Sequence, residues 1–279
     1  MPVLYVVSTP IGNLEDVTLR ALRTLREAGL IAAEDTRVTR RLLERHGIAT
    51  PMTSYNEHNK RSKTARLVEE LAEKDVALVS DAGTPGVNDP GADLVSAAVE
   101  AGFPVVPVPG PSSITAAVSV SGIASDGFVH LGFLPRRRGD RKRILGEVTS
   151  STAPIVLLEA PHRLQDSLAD LLDVLGDRRL IVCRELTKLH EEVFRGSVSA
   201  AQEHFQEPRG EFCIVVESAG ESPGSVSRPE STAIPLLNEL RARGARAKDS
   251  VVLVAAATGL PKKRVYDLWL EGRGGTGSA

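Results

Sequence analysis

Leu78-Val-Ser-Asp-Ala-Gly-Thr-Pro-Gly-Val-Asn-Asp-Pro-Gly91 is the stretch of sequence that decides the fold. It begins in a short apolar run, Val76–Val79, and leads into a helical pattern that starts near Ala92. In a parallel α/β sheet, a loop between a strand and the next helix lies at the carboxyl edge, where ligands bind. This loop is long for such a connection, which indicates a role beyond turning the chain.

The composition is that of an ordinary globular protein with room for two cores. The chain has 279 residues, 42% of them hydrophobic and 25% charged, and a domain usually holds ~100–200 residues. The net charge of −2 gives no overall attraction to nucleic acid, and the 4% aromatic content argues against stacking platforms for single strands. Cys183 and Cys213 are too few for a disulfide framework or a zinc site, so no metal is expected.

No segment of the sequence predicts a membrane span or a signal peptide. The apolar runs fall short of the ~18 residues of a transmembrane helix. The amino terminus enters strand-like sequence directly, without the charged flank of a signal peptide. A cytoplasmic protein with reduced cysteines and no membrane partner is therefore expected.

Strand-like runs alternate with helical patterns in the first part of the chain, which predicts a largely parallel α/β sheet, and a second α/β cycle follows. We expect two α/β domains, at 1–121 and 122–218, then a linker at 219–230 and a small helical appendix at 231–279. The polar residues Thr53–Lys60 are expected to form a loop, and the end Gly272–Ala279 is expected to be disordered. The strand-like runs are Val3–Val7, Leu30–Ala33, Val76–Val79, Pro104–Val108, Phe128–Phe133, Ile155–Leu158, Leu180–Cys183 and Glu211–Val216.

Five polar loops follow predicted strands, and the carboxyl ends of strands in one parallel sheet share an edge. A single loop of this kind is more often a turn or a helix cap than a site, but several at one edge favour a ligand cleft. None of them reads G-x-G-x-x-G or G-x-x-x-x-G-K-[ST], which disfavours dinucleotides and nucleoside triphosphates. The loops are Thr9–Asn13, Glu34–Arg37, Asp81–Gly91, Pro109–Ser113 and Glu185–Lys188.

Six motifs occur in order along the chain: Ser8–Asp16, Ala33–Arg37, Ser80–Pro85, Asn88–Gly91, Pro109–Ser112 and Arg184–Lys188. Together they resemble the tetrapyrrole (corrin/porphyrin) methylase superfamily, and in particular its branch that methylates ribosomal RNA. The resemblance spans roughly Val3 to Val216, and the ordered set is much more specific than any one motif. Members that act on tetrapyrroles have a glycine-richer first loop where this chain has Ser8-Thr-Pro10, so the resemblance points to the RNA branch.

The resemblance implies that S-adenosylmethionine binds in a cleft between the two α/β domains. Leu158, Leu186 and Phe212, at strand ends of the second domain, would approach the adenosine. Gly83 would allow close backbone approach, and Asp81 would supply a carboxylate near the sulfonium. By position, the floor of the cleft would consist of Pro10, Asp81, Ala82, Gly83, Val87, Ser112 and Ser113.

The resemblance also implies a reaction and partners. The expected activity is methylation of the ribose 2′-hydroxyl of a decoding-centre cytidine in 16S rRNA, within the small ribosomal subunit, by a homodimer. Two alternatives stay open at this point. One is methylation of a tetrapyrrole-like small molecule, and the other is an RNA-binding assembly factor without catalytic activity.

A ribose hydroxyl is a weak acid, so its methylation benefits from a base or from a cation that stabilises the alkoxide. Glu185 and Lys188 are the first candidates for these roles, with Glu34, Glu159 and His162 behind them. Glu185 and Lys188 could equally pair with each other across a surface turn, which is the commoner role of such residues.

Two basic clusters are candidate RNA contacts in a chain that is otherwise slightly acidic. The segment 248–270 has the spacing of a helix-turn-helix with Gly259 in the turn, although a helical lid or a dimer contact would show the same pattern. The first cluster contains Arg136, Arg137, Arg138, Arg141, Lys142 and Arg143, and the second contains Lys262, Lys263 and Arg264.

Overall fold

The computed structural model describes residues 1–123, 125–219, 229–258 and 260–271. Its first sheet contains five parallel strands: β1 (Leu4–Val7), β2 (Leu30–Ala33), β3 (Met52–Ser54), β4 (Val76–Val79) and β5 (Val105–Val108). Their order across the sheet is β3-β2-β4-β1-β5, so the loop that follows β4 lies near the centre of the carboxyl edge.

Four helices cover the two faces of this sheet: α1 (Leu19–Glu27), α2 (Thr36–Arg45), α3 (Lys60–Glu70) and α4 (Ala92–Glu100). The apolar sides of α1 and α2 pack on one face, and those of α3 and α4 on the other. Thr18 and Asp35 start α1 and α2 because their side-chain oxygens accept hydrogen bonds from backbone amides of the first turn.

The second sheet also has five strands: β6 (Val129–Phe133), β7 (Ile155–Glu159), β8 (Arg179–Arg184), β9 (Glu192–Ser197) and β10 (Phe212–Val216). Their order is β6-β7-β10-β8-β9. Only the β6–β7 pair is parallel; β10 runs antiparallel to both β7 and β8, and β9 runs antiparallel to β8. The two sheets are therefore built differently, and the second is mixed.

One helix joins the two sheets. α5 (Ser113–Ser121) follows the last strand of the first sheet, and its Ile114 and Ala117 pack against buried side chains of β7, β8 and β10. The opposite face of the second sheet is covered by α6 (Arg138–Glu147), α7 (Leu164–Leu175) and α8 (Val198–His204). Because α5 is shared in this way, it places the carboxyl edge of the first sheet against strand ends of the second.

The structure confirms one of the predictions on the strands and corrects another. The first sheet is parallel, as expected, and the second sheet, for which no strand direction was predicted, is mixed. Thr53 and Ser54 belong to β3, not to a loop. The basic segment, for which no secondary structure was predicted, forms α6 from Arg138 on. β9 and α8 were not predicted, because the β9 sequence Glu-Val-Phe-Arg-Gly-Ser has only two strongly apolar residues.

Three helices form the carboxyl-terminal appendix: α9 (Pro229–Ala242), α10 (Ala247–Thr258) and α11 (Lys262–Glu271). They have a core of their own, in which Leu237, Val254 and Trp269 are buried together. The two helices of the predicted helix-turn-helix are confirmed. Gly259 in its turn, most of the predicted linker and the end Gly272–Ala279 lie outside the described residues.

Within the part of the chain that the structure describes, no helix is long and apolar enough to span a bilayer.

Candidate functional site

A cleft of about 540 Å³ lies between the two sheets, and its size suits a cofactor or a small ligand. One wall comes from the loops after β2 and β4 and from the start of α5. The other wall comes from the ends of β6, β7 and β8 and the start of β10. Because β10 is antiparallel, its first residue, Phe212, lies at the same edge as the last residues of its neighbours.

The loop after β4 is tied firmly to the loop after β1. The backbone groups of Thr9 and Gly83 form two mutual hydrogen bonds, of 2.8 and 3.0 Å. The hydroxyl groups of Ser8 and Thr84 lie 2.8 Å apart, and Thr9 Oγ1 donates to the Ser80 carbonyl. Gly83 has a φ of +78°, which a residue with a side chain rarely adopts. The loop is therefore a fixed platform and needs glycine at this position.

Carboxylates are concentrated on the first wall. The backbone amide of Asp81 donates to Glu34 Oε2 at 3.2 Å, and that of Asp35 donates to Asp81 Oδ1 at 2.9 Å. Burial raises the pKa values of Glu34 and Asp81, and it raises the pKa of Asp89 to about 6. These acids give the first wall a negative potential that would attract a cationic group.

The second wall is mainly apolar. Leu158, Leu186 and Phe212 line it together with Cys183 and Cys213, which are direct neighbours across the β8–β10 pair. Burial raises the pKa of Cys183 to about 11 and that of Cys213 to about 12, so both thiols stay neutral at physiological pH. A wall of this kind suits a flat aromatic group such as a nucleobase.

The structure brings together nearly all of the predicted cofactor residues. Asp81, Ala82, Gly83, Val87, Ser112, Ser113, Leu158, Leu186 and Phe212 all line the cleft. Pro10 does not, and its neighbour Ile11 takes that place. The lining residues that sequence reasoning missed are Thr84, Asn88, Asp89, Ile114, Phe133, Ala160, Pro161, Cys183, Glu211 and Cys213. Of these, Asp89 was indicated by the sequence, since it lies in the long loop Asp81–Gly91.

Glu185 and Lys188 lie outside the lining of the cleft. Glu185 Oε1 accepts from Lys188 Nζ and from the Glu211 amide, both at 2.9 Å, and Lys188 also pairs with Glu211 at 2.9 Å. The hydrogen bond from Lys188 lowers the pKa of Glu185, which weakens it as a base. The pair fastens its loop, in which Glu185 and Thr187 have positive φ angles, to the start of β10. Glu185 and Lys188 therefore have a structural role in holding this loop against β10.

The other predicted acid–base candidates, Glu34, Glu159 and His162, do line the cleft. Glu159 is almost completely buried at the end of β7. Its carboxylate accepts hydrogen bonds from the Ser167 hydroxyl and the Ala160 amide, and Arg163 lies 3.4 Å away. Such full engagement favours a structural role for Glu159.

The first basic cluster is less available to RNA than its sequence indicates. Arg141 is only 5% exposed; its Nε donates a hydrogen bond of 2.8 Å to Oδ2 of the buried Asp170 of α7, and its Nη2 forms an ion pair with the same oxygen at 2.7 Å. Arg138 shares the same carboxylate, and Lys142 pairs with Asp173. Arg141 as an RNA contact is therefore corrected to a core residue. Arg136 and Arg137, just before α6, are exposed.

The second basic cluster lies at the start of α11. Lys262 and Lys263 are exposed there, and Arg264 lies 3.3 Å from Glu271. In the core of the appendix, the guanidinium of Arg241 stacks 4.5 Å above the ring of Trp269. The appendix thus presents lysines on a packed helical scaffold.

The two-sheet architecture and its cleft define a class of protein. The sequence model of the tetrapyrrole (corrin/porphyrin) methylase family matches residues 3–202, so the chain belongs to that family. Within the family, it is 44% identical over 271 residues to a protein of Halalkalibacterium halodurans named ribosomal RNA small subunit methyltransferase I, covering 95% of this chain and 94% of the relative. A protein of Synechocystis sp. with the same name is 45% identical, covering 97% of this chain and 98% of the relative.

Solved structures share the fold at lower identity. Uroporphyrin-III C-methyltransferase from Thermus thermophilus, crystallised with S-adenosyl homocysteine, has a TM-score of 0.57 and 21% identity, covering 78% of this chain and 98% of its own. A diphthine synthase has a TM-score of 0.60 and 17% identity, covering 78% of this chain and 90% of its own. These likenesses establish the architecture; the substrate must be argued from the site and from the more similar relatives.

Proposed function

We propose that this protein transfers the methyl group of S-adenosylmethionine to the ribose 2′-oxygen of a decoding-centre cytidine in 16S rRNA. The observation that carries the proposal is the cleft between the sheets, with acidic loops on one wall and apolar strand ends on the other. Two relatives match nearly the whole chain at 44% and 45% identity, and both are named ribosomal RNA small subunit methyltransferase I. Their names support the small-subunit rRNA as substrate.

The residues of the cleft fit this cofactor. Leu158, Leu186 and Phe212 offer an apolar surface for the adenine, and Ser112 and Ser113 offer hydroxyl and amide groups at the start of α5. Glu34 and Asp81 carry negative charge on the opposite wall, which favours a sulfonium. When bound there, the cofactor would supply an electrophilic methyl group.

The chain's own contribution to catalysis would be alignment and exclusion of water. The 2′-oxygen must approach the methyl carbon opposite the departing sulfur, and a rigid cleft lowers the barrier by holding both groups in that geometry. The hydrogen-bonded loops at Thr9 and Gly83 fix one wall, and α5 fixes the distance to the other. Pro10, Glu185 and Lys188 lie outside this wall, so we leave them out of the mechanism.

RNA would be held by exposed cations before α6 and in the appendix. Arg136 and Arg137 follow β6, whose last residue Phe133 lines the cleft, so they are close to the reaction centre along the chain. Lys262 and Lys263 would add phosphate contacts from the appendix. We also propose the domain boundaries of the sequence analysis, 1–121 and 122–218, and action as a cytoplasmic homodimer.

The test is methyl transfer from tritiated S-adenosylmethionine to small ribosomal subunits whose 16S rRNA lacks the modification. The proposal expects label in the RNA at a site that resists alkaline cleavage, because a methylated 2′-oxygen cannot attack the adjacent phosphate. Label that is sensitive to alkali, or label in a tetrapyrrole precursor and none in RNA, would contradict it. RNA binding without any methyl transfer would favour an assembly factor.

A further inference from the structure

We propose that the carboxylate of Asp89 is the base that accepts the proton of the ribose 2′-hydroxyl during methyl transfer. This inference rests on the proposed function, because it assigns the proton acceptor of that reaction. Asp89 is in the lining of the cleft, in the loop between β4 and α4, together with Phe133 and Leu158 of the opposite wall. A carboxylate at this position can reach the hydroxyl of a ribose that enters the cleft between the two sheets.

The other carboxylates of the cleft are engaged in holding the fold. Glu34 and Asp81 each accept a hydrogen bond from a backbone amide of the neighbouring loop. Glu159 is buried among donors, and Glu211 pairs with Lys188. Asp89, by contrast, has no ion-pair partner within the described residues, and only the Ser80 hydroxyl is close enough to influence it by a hydrogen bond. Its lone pairs are the most available to a substrate hydroxyl.

The backbone around Asp89 is held in place across the cleft. Asn88 has a φ of 63°, an unfavourable left-handed conformation, and its side-chain amide is hydrogen-bonded to His130 Nε2 of β6 at 2.8 Å. The strand bulges between His130 and Gly132, and a Cβ at Gly132 would lie 2.1 Å from Asn88 Oδ1. Strained residues persist where the surroundings enforce them, often at functional sites. Here the enforced residue immediately precedes the proposed base.

The proton affinity of Asp89 suits this role. Burial raises its pKa to about 6, the negative charge of Glu34 contributes in the same direction, and Ser80 offsets part of the rise. A carboxylate with this pKa is ionised at neutral pH, and it is a stronger base than an ordinary aspartate. The proton it accepts can pass to water when the product leaves.

The step is balanced without any further reactant. The 2′-oxygen forms a bond to the methyl carbon while the carbon–sulfur bond breaks, and the electron pair of that bond stays on sulfur as a neutral thioether. The proton of the hydroxyl moves to an Asp89 oxygen. The sulfonium loses its positive charge as the Asp89 carboxylate loses its negative one, so the step does not change the net charge of the cleft.

The rate should therefore depend on pH through Asp89. The wild-type single-turnover rate should rise with pH through a midpoint at about 6 and then level off, because only the ionised carboxylate accepts a proton. Other titratable groups also face the cleft or pack beside the loop, so the profile must be compared between variants. These groups are Glu34, Asp81, His130, Glu159, His162, Cys183, Glu211 and Cys213.

The experiment compares the full-length wild-type protein with Asp89→Asn in single-turnover methylation of small ribosomal subunits. We expect the rate of Asp89→Asn to fall by about 10²–10⁴-fold, the usual contribution of a general base, and its inflection near pH 6 to disappear. Binding of S-adenosylmethionine, measured by calorimetry, should persist and shows that the variant is folded. Asp89→Glu, which keeps a carboxylate, should restore part of the rate.

Matched variants separate the possible outcomes. Asp93→Asn makes the same change on the exposed side of α4, where Asp93 pairs with Lys60, and should keep the wild-type rate. If Asp89→Asn keeps the rate and its pH dependence while Glu34→Gln loses them, the base is Glu34 and our assignment is overturned. If the wild-type protein transfers no methyl group to RNA, the proposed function itself fails, and the assignment falls with it.

Discussion

A buried ion pair between α6 and α7 provides a quantitative test of the structural use of the basic segment. Asp170 is 1% exposed, and its Oδ2 accepts a hydrogen bond from Nε of Arg141, which is 5% exposed, and pairs with Nη2 of the same guanidinium. Its Oδ1 accepts one from Arg138, whose side chain is 67% exposed. Asp170→Ala would leave the Arg141 guanidinium buried and without its carboxylate, whereas Arg138 could turn to water.

The expected cost of Asp170→Ala is about 3–5 kcal/mol in the free energy of unfolding, since removing one partner of a buried pair strands the other charge. The exposed Arg138 adds only ~0–1 kcal/mol to this. Urea-induced unfolding followed by circular dichroism measures the loss. Asp173→Ala, which removes the 53% exposed partner of Lys142, is the control and should cost at most ~1 kcal/mol. Equal, small losses in both variants would refute the structural role of Arg141.

Three further predictions concern the cleft and its surroundings. Arg136→Ala with Arg137→Ala should weaken RNA binding and lower the salt slope by roughly 2, measured by filter binding over a salt series, whereas an unchanged slope would remove them from the interface. Asp81→Ala should weaken S-adenosylmethionine binding in calorimetry, because a negative charge beside the sulfonium is lost; undiminished affinity would contradict this. Gly132→Ala should destabilise the protein by about 1–3 kcal/mol through its φ of +64° and the contact with Asn88, and adding Asn88→Ala should relieve part of that loss in urea unfolding.

Much of the first sheet and of the cleft was predictable, for physical reasons. Apolar runs such as Val76–Val79, followed by polar loops and amphipathic helices, specify parallel βα units. Since parallel strands end at one edge, the loops after β2, β4 and β5 had to meet. That rule placed the loops of Asp81 and Ser112 at one edge, and the family resemblance assigned the two residues to the cofactor cleft.

The second sheet was harder to predict because strand direction is not encoded in a short apolar run. Phe212–Val216 is equally apolar whether it pairs in parallel or antiparallel fashion, and in the structure it inserts antiparallel between β7 and β8. This pairing brings Cys213 beside Cys183 and Glu211 beside the cleft. It also gives Glu185 and Lys188 a partner in Glu211, which a local view of their loop could not reveal.

The basic segment illustrates the same limit. Six cations within Arg136–Arg143 look like one RNA-binding surface in sequence. In α6, Arg141 points inward and pairs with the carboxylate of Asp170 in α7. The position of α7 depends in turn on its packing against the second sheet. Local charge patterns indicate where cations are concentrated, and tertiary packing decides which of them reach solvent.

The central claim is tested most directly by mass mapping of 16S rRNA after methylation by the purified protein. Small ribosomal subunits lacking the modification would be incubated with the protein and S-adenosylmethionine, and the RNA digested to nucleosides and oligonucleotides. We predict one added methyl group, on the ribose of a cytidine in the decoding centre. A methyl group on a base, on a ribose elsewhere in the subunit, or on no RNA residue at all would contradict the proposed function.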